Sequence, residues 1–243
     1  MTAQTSMPPR VNAPERIARS ITRDILRGVH LPGSRLPTLR ELALQFGVNP
    51  STMQRALARL EARGLVTARQ GSGLRINDPL TCSDASLIPD WFAVLIVDRP
   101  QEAVTMLADV LEMRRLLAAR LIDRNRLAVL DALGAMTLAA ADMAGRSTEE
   151  VCAIQMEMER TVVRATGSTT AMLLHRSVEE CLAETPQLIE AAYSNTERTA
   201  RIAIRFATAV RDGGDDLAER IQDMIAESDA EIVEEFARVL GVR

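Results

Sequence analysis

The sequence predicts a mainly α-helical chain in two parts: a small N-terminal domain of three helices and a β-hairpin, and a larger C-terminal bundle built of helices alone. Three observations carry that expectation. Apolar residues recur at helical spacing through most of the 243 residues, while strand-like segments are confined to 65–76. Helix starts and stops are marked by Pro, Asn, Ser or Thr at the front and Gly at the back. Charge divides the chain, because residues 1–77 hold 12 Arg against 4 acids, a net of +8, whereas the remainder holds 17 Arg against 29 acids, a net of −12. A chain of this length accommodates one small and one mid-sized domain, each with its own core.

Residues 1–13, with Pro8 and Pro9, are expected to be a disordered tail. The stretch 14–29 starts with a proline at the first helical position and spaces Ile17, Ile21 and Ile25 four apart, which is one buried stripe. Pro and Gly in 30–37 stop that helix. Thr38 opens the next, with Glu41 three residues on completing a capping box and Leu39, Leu42, Ala43 and Phe46 facing inward. After Gly47, Asn49 is the expected cap of a third helix that begins at Pro50 and buries Met53, Ala56, Leu57 and Leu60. Gly64 closes it, and 65–68 and 74–76 form two short strands around the loop 69–73. Helix, helix-turn-helix and hairpin in that order make a winged helix-turn-helix over 14–77, whose third helix is shaped to enter a DNA major groove. The polar, Pro-containing stretch 78–90 is expected to be a linker. From 91 to 243 the pattern predicts an all-helical domain for ligand sensing and dimerisation, with helices at 91–97, 100–124, 126–145, 148–167, 169–183, 186–212 and 215–240.

Composition narrows the function. Charged residues at 26% and hydrophobic residues at 47% are those of a soluble globular protein. The N-terminus lacks the order of a signal peptide and no apolar run is long enough to span a bilayer, so a cytoplasmic protein is expected. Three widely spaced cysteines fit neither a disulfide framework nor a zinc site and are expected to be buried free thiols. All 29 basic residues are Arg, which suits phosphate and guanine geometry, but the absence of Lys throughout is explained more simply by codon bias. With two His and no nucleophile elbow, phosphate loop or Rossmann glycine pattern, the sequence is not that of an enzyme.

The run LPTLRELALQFGVNPSTMQRALARLEARGLVTARQGSGLRI resembles the winged helix-turn-helix of the GntR family of bacterial transcription regulators. Its VNPSTMQRA stretch is similar to the recognition-helix start of the YtrA-like branch. The length and helicity of the second domain instead resemble the FadR-like branch, with 109–124 similar to that branch's first long effector-domain helix and 154–168 to its central helix. The resemblance implies a dimer on a double-stranded, pseudo-palindromic operator and a small-molecule effector.

On the DNA side, Arg40 stands where the resemblance implies a guanine contact, its guanidinium matching the O6 and N7 acceptors. A phosphate-bound or merely solvated Arg is the alternative. Asn49, Ser51 and Thr52 lie at the start of the third helix, where they meet a phosphate or base edge; for Asn49, capping alone is an equal reading. Pro50 and Gln54 stand where FadR-like proteins place base-reading Arg, so a different operator follows. Gln54 suits adenine and Arg55 suits phosphate. Arg35, and in the wing Arg69, Gln70, Gly71, Gly73 and Arg75, complete the expected DNA-binding set.

On the effector side, the resemblance implies a metal site whose first two positions are occupied here by Gln155 and Glu159, and whose later His positions fall near Ala203 and 226–227. With His30 in the DNA-binding half, one carboxylate and one imidazole, His175, are too few, so no metal or other cofactor is expected. That agrees with what resemblance to the acyl-CoA-binding type implies. Arg114, Gln155, Met156 and Glu159 are the candidate ligand-binding residues, for a small organic acid or an acyl-CoA-type metabolite. Arg114 in an internal salt bridge with Glu159, and Met156, Met158 and Met172 as core filler, are the plainer readings. The rival for the whole domain is a dimerisation module without a ligand.

Overall fold

The computed structural model describes residues 12–69, 73–134, 143 and 145–242. It divides into two compact units, Met1–Val94 and Leu95–Arg243.

In the first unit α1 (Ala13–Leu26) is capped by Asn12, whose side chain accepts from the Glu15 amide at 3.1 Å. α2 (Leu39–Gln45) begins with the expected capping box, Thr38 and Glu41 each bonding the other's backbone. α3 (Pro50–Ala62) begins with Asn49 accepting from the Thr52 amide at 2.8 Å. α1 and α2 both pack on α3, and Ile21, Leu42, Met53, Leu60 and Leu65 fill a core in which none is more than 2% exposed. Burying a side chain of that size contributes about 1.5–3 kcal/mol, so this core outweighs any single cap. β1 (Val66–Arg69) and β2 (Gly73–Ile76) pair antiparallel, Val66 opposite Ile76. Gln70 and Gly71, named for the wing, lie outside the described residues, as does most of the expected tail.

Two features of this unit differ from expectation. The segment after α1 is not a plain connector: Gly33 and Leu36 donate to Ile76 and Leu74 carbonyls at 2.8 and 2.9 Å, and Ile76 donates back to Ser34. It adds an isolated antiparallel β-bridge beside the wing, Arg35 opposite Arg75. The expected linker 78–90 is folded as well, and this corrects the reading of it as a spacer. It holds α4 (Pro79–Cys82), a 3-10 turn at Ala85–Leu87 and the start of α5 (Ile88–Asp98). Ser83 donates to the Arg63 carbonyl at 2.8 Å, and Arg63 donates to the Ser86 carbonyl and to Asp90 at 3.1 and 2.7 Å. Leu87 and Val94 join the first unit's core and Trp91 packs against it. Polar composition reported the surface of this stretch while a few apolar residues fixed its path.

The second unit is helical throughout its described residues: α6 (Pro100–Arg124), α7 (Arg126–Ala132), α8 (Thr148–Ala165), α9 (Thr169–Glu184), α10 (Pro186–Tyr193), α11 (Thr196–Asp212) and α12 (Leu217–Val239). α6 and α12 form the most extensive pair, with α10 also on α12 and α8 on α10, α9 and α7. Ala103, Leu107, Ala119, Ile122, Leu217, Ile221 and Phe236 are buried along the two long helices. The expected helix 186–212 is two helices. Asn195 caps α11 by accepting from the Arg198 amide at 2.9 Å, and the buried Arg198 guanidinium donates to the last carbonyls of α10, Ala191 and Ala192, at 3.2 and 2.6 Å. Arg126 closes α11 similarly, donating to the Val210 and Arg211 carbonyls, and Gly213 turns away there with φ +65°. The predicted helix 126–145 is described as far as Ala132; 135–142 lie outside the described residues.

Candidate nucleic-acid interface and a buried polar cluster

α3 presents two faces. Met53, Ala56, Leu57 and Leu60 turn inward, while Ser51, Gln54, Arg55 and Arg59 are exposed. Arg59 meets Glu15 at 3.3 Å, so the outward cation near the start of the helix is Arg55. Arg40 is exposed in the first turn of α2. Thr52 does not share the outward face: it is 8% exposed and its amide is consumed by Asn49. The cause is helical phase, since Thr52 precedes buried Met53 and lies one turn before Ala56. Ser51 is therefore the polar side chain that the first turn of α3 exposes beside Asn49, and the Asn49 carboxamide oxygen is already engaged as a cap. In the wing Arg69 is exposed, Arg75 is half-buried with its Nε unpaired, and Gly73 has φ +74°, a left-handed conformation that favours glycine.

Electrostatics supports the α2 start. The Thr38 backbone amide and hydroxyl donate to the Glu41 carboxylate at 2.7 and 2.9 Å and hold its pKa below the ordinary 4.5. The carboxylate that stands closest to Arg40 in sequence thus remains ionised and bound to the helix start.

In the second unit a half-buried charged cluster joins α6, α8, α9 and α12. Arg114 on α6 donates to Asp229 on α12 at 2.8 Å and lies 3.8 Å from Glu159 on α8. Arg115 lies 3.6 Å from the other Asp229 oxygen. Gln155 donates to Glu159 at 3.0 Å, one turn along α8. His175 on α9 is nearly buried, 3.3 Å from Glu179 and 4.0 Å from Glu159. Burial raises the Asp229 pKa above 3.8 against the opposing pull of Arg114 and Arg115. Burial lowers the Arg114 pKa, and Glu159 and Asp229 more than offset it, so that the guanidinium is held above its usual range. Burial, and then Glu159, push the Tyr193 phenol well above 10. Among the described residues of this unit, Gln155 Oε1, Asp229 Oδ2, His175 Nε2 and Arg115 Nε are buried without a hydrogen-bond partner.

The expected internal partner of Arg114, Glu159, is present, and the stronger one was missed. Asp229 lies 115 positions away in sequence, and nothing local marks it. Of the methionines, Met158 is buried, Met156 half-buried and Met172 44% exposed, so the three do not converge. Cys152 and Cys181 have thiol pKa values pushed up to about 11, chiefly by burial, whereas Cys82 is exposed on α4 rather than buried as expected. Among the described residues no helix is long and apolar enough to cross a membrane.

Comparison with known proteins places these units. The model of bacterial regulatory proteins of the gntR family matches residues 13–76. The HTH-type transcriptional regulator Rv0494 of Mycobacterium tuberculosis is 31% identical over 198 residues, which is 78% of this chain and 76% of that one. The HTH-type transcriptional repressor YtrA of Bacillus subtilis is 31% identical over 96 residues, 37% of this chain and 74% of that protein. A solved structure described by the words "Lar controls the expression of the Listeria monocytogenes agr system and mediates virulence" has a TM-score of 0.55 at 15% identity, covering 93% of this chain and 97% of that one, and so shares the fold. The Rv0494 match continues well past the residues of the family model, into the helical unit. The chain belongs to the GntR family of bacterial regulatory proteins and is a DNA-binding transcription regulator of that type.

Proposed function

We propose that the protein is a ligand-responsive, cytoplasmic regulator of the FadR-like branch that binds a pseudo-palindromic operator as a dimer. In this reading 14–77 form the DNA-reading domain, and 91–243 form the sensing and dimerising one. The observation that carries the DNA half is the outward face of α3, where Ser51, Gln54 and Arg55 stand exposed behind an Asn49–Pro50 start that fixes the helix's first turn. A helix so started enters the major groove with its N-terminus first. Arg40 contacts a guanine edge, Gln54 an adenine edge, Ser51 and Arg55 the phosphates, and Arg35, Arg69, Gly73 and Arg75 the flanking groove, together with Gln70 and Gly71. Thr52 serves the core.

The effector half rests on the cluster around Arg114. An incoming carboxylate or phosphate, from a small organic acid or an acyl-CoA-type metabolite, competes with Asp229 and Glu159 for the Arg114 guanidinium, while Gln155 and Met156 line the same side. Since Arg114, Asp229 and Glu159 come from α6, α12 and α8, the exchange shifts the packing of three helices and so couples ligand to DNA affinity. The unpaired buried atoms of Gln155, Asp229, His175 and Arg115 are what a polar ligand would satisfy. One observation favours the rival, a helical domain that only dimerises: the charge of Arg114 is already balanced inside the chain. A thermal-shift panel of organic acids, sugar acids and acyl-CoAs separates the two. A sensor gains stability by about 2.7 kcal/mol at a hundredfold excess over Kd. No shift with any compound, at concentrations up to the millimolar range, favours the rival.

A further inference from the structure

The exposed face of α6 carries a pattern that is complementary to itself. At 100° per residue, Asp109 and Glu112 fall on the same side of the helix as Met113, Leu116 and Leu117, and as Arg120 and Arg124. All are exposed, the three apolar side chains by 65%, 46% and 49%. The opposite side of α6 holds the buried Leu107, Leu111 and Ile122. Arg114 and Arg115 are engaged with Asp229, but Asp109, Glu112, Arg120 and Arg124 form no ion pair among the described residues. Acids thus lie at the front of the face, an apolar patch in the middle, and Arg120 and Arg124 at the back beside the half-buried Asp123, which leaves that end net positive.

We infer that this face joins two copies of the chain, α6 against α6, antiparallel about a twofold axis near Leu116 and Leu117. The inference rests on the dimer proposed above and names its surface. When Leu116 faces the second copy's Leu117, Asp109 falls opposite the second copy's Arg124 and Glu112 beside its Arg120, and the symmetry makes each contact twice. A parallel arrangement would instead set acid against acid and cation against cation, which repels. The apolar centre excludes water while the charged ends fix direction and register.

Reversing the charges tests this on the full chain. Asp109→Arg and Arg124→Asp, singly and together, are compared with wild type by sedimentation equilibrium, with Leu116→Glu as an independent probe of the centre and far-UV circular dichroism to verify folding. Each single reversal is expected to raise the dimer dissociation constant by roughly tenfold or more, because like charges then meet twice per dimer. The double reversal restores opposite charges and is expected to return to within about threefold of wild type. Leu116→Glu is expected to give monomers that keep their helix content. If wild type is a dimer and all four variants dimerise as well as it does, the α6 face is overturned while the dimer stands. If wild type is monomeric at every concentration, both fall.

Discussion

Replacing Asn49 separates two roles of the same side chain. Its Oδ1 accepts from the Thr52 amide at 2.8 Å, and Pro50 has no amide of its own to offer. Losing an N-cap costs about 0.5–2 kcal/mol in general. Thr52 is 8% exposed, so water cannot readily replace the acceptor, and Asn49→Ala should fall in the upper half of that range, at about 1.5 kcal/mol. For a domain of this size, that corresponds to a fall in Tm of about 6–12 °C. Asn49→Ser and Asn49→Asp both keep a capping oxygen and should stay within about 0.5 kcal/mol of wild type. On DNA they should diverge: Ser is too short to reach a base edge, and Asp sets a negative charge against the phosphates, lowering affinity by about tenfold or more. The chain's single Trp, Trp91, packs on the core of the same unit, so its fluorescence during urea denaturation follows this unit directly. An unchanged midpoint for Asn49→Ala, or an Asp variant as unstable as the Ala variant, would refute the capping account.

Three further expectations follow from the geometry. A Cβ at Gly64, where φ is +71°, would lie 2.0 Å from the Cys82 carbonyl oxygen, so Gly64→Ala should cost about 3 kcal/mol or more, whereas Gly47→Ala, with φ +62° and open space, should cost about 1 kcal/mol; urea denaturation distinguishes them. Glu41 is held below its usual pKa by hydrogen bonds from Thr38, so its contribution to stability is present above pH 4.5 and is lost as pH falls through the lowered value. Glu41→Gln should accordingly flatten the acid limb of the stability–pH profile, and a profile that keeps the wild-type slope would contradict this. Arg40→Ala should cost about 1–3 kcal/mol and relax specificity at one operator position, whereas Arg55→Ala should weaken binding to all duplexes about equally and reduce the salt slope by about 1. A titration over operator variants showing the reverse would exchange their roles.

What was legible in the sequence was what local chemistry dictates. Thr38 with Glu41, and Asn49 with Pro50, announce helix starts through their own backbone bonds, and both caps form as expected. The α10–α11 break was missed because Ser194–Asn195 interrupts an otherwise continuous amphipathic run without Gly or Pro. The Arg198 side chain that closes α10 becomes visible only once the turn has formed. The path of 78–94 was hidden for a related reason, as Leu87 and Val94 are fixed by a core assembled from α1, α3 and the wing. The partner of Arg114 shows the same limit at the candidate effector cluster. Burial of an isolated guanidinium demands an anion, which the sequence implies, but Asp229 comes to it through the packing of α12 on α6.

The arginine-rich N-terminal unit is expected to read duplex sequence through α2, α3 and the wing. Fluorescence-anisotropy titration of the full chain, with the duplex upstream of its own gene and a shuffled duplex of equal length, tests it most directly when repeated across salt concentration. Preference for the native duplex by about a thousandfold, with affinity falling steeply as salt rises, is the predicted result. Equal affinity for both duplexes, or none for either at low salt with and without candidate effectors, would contradict it.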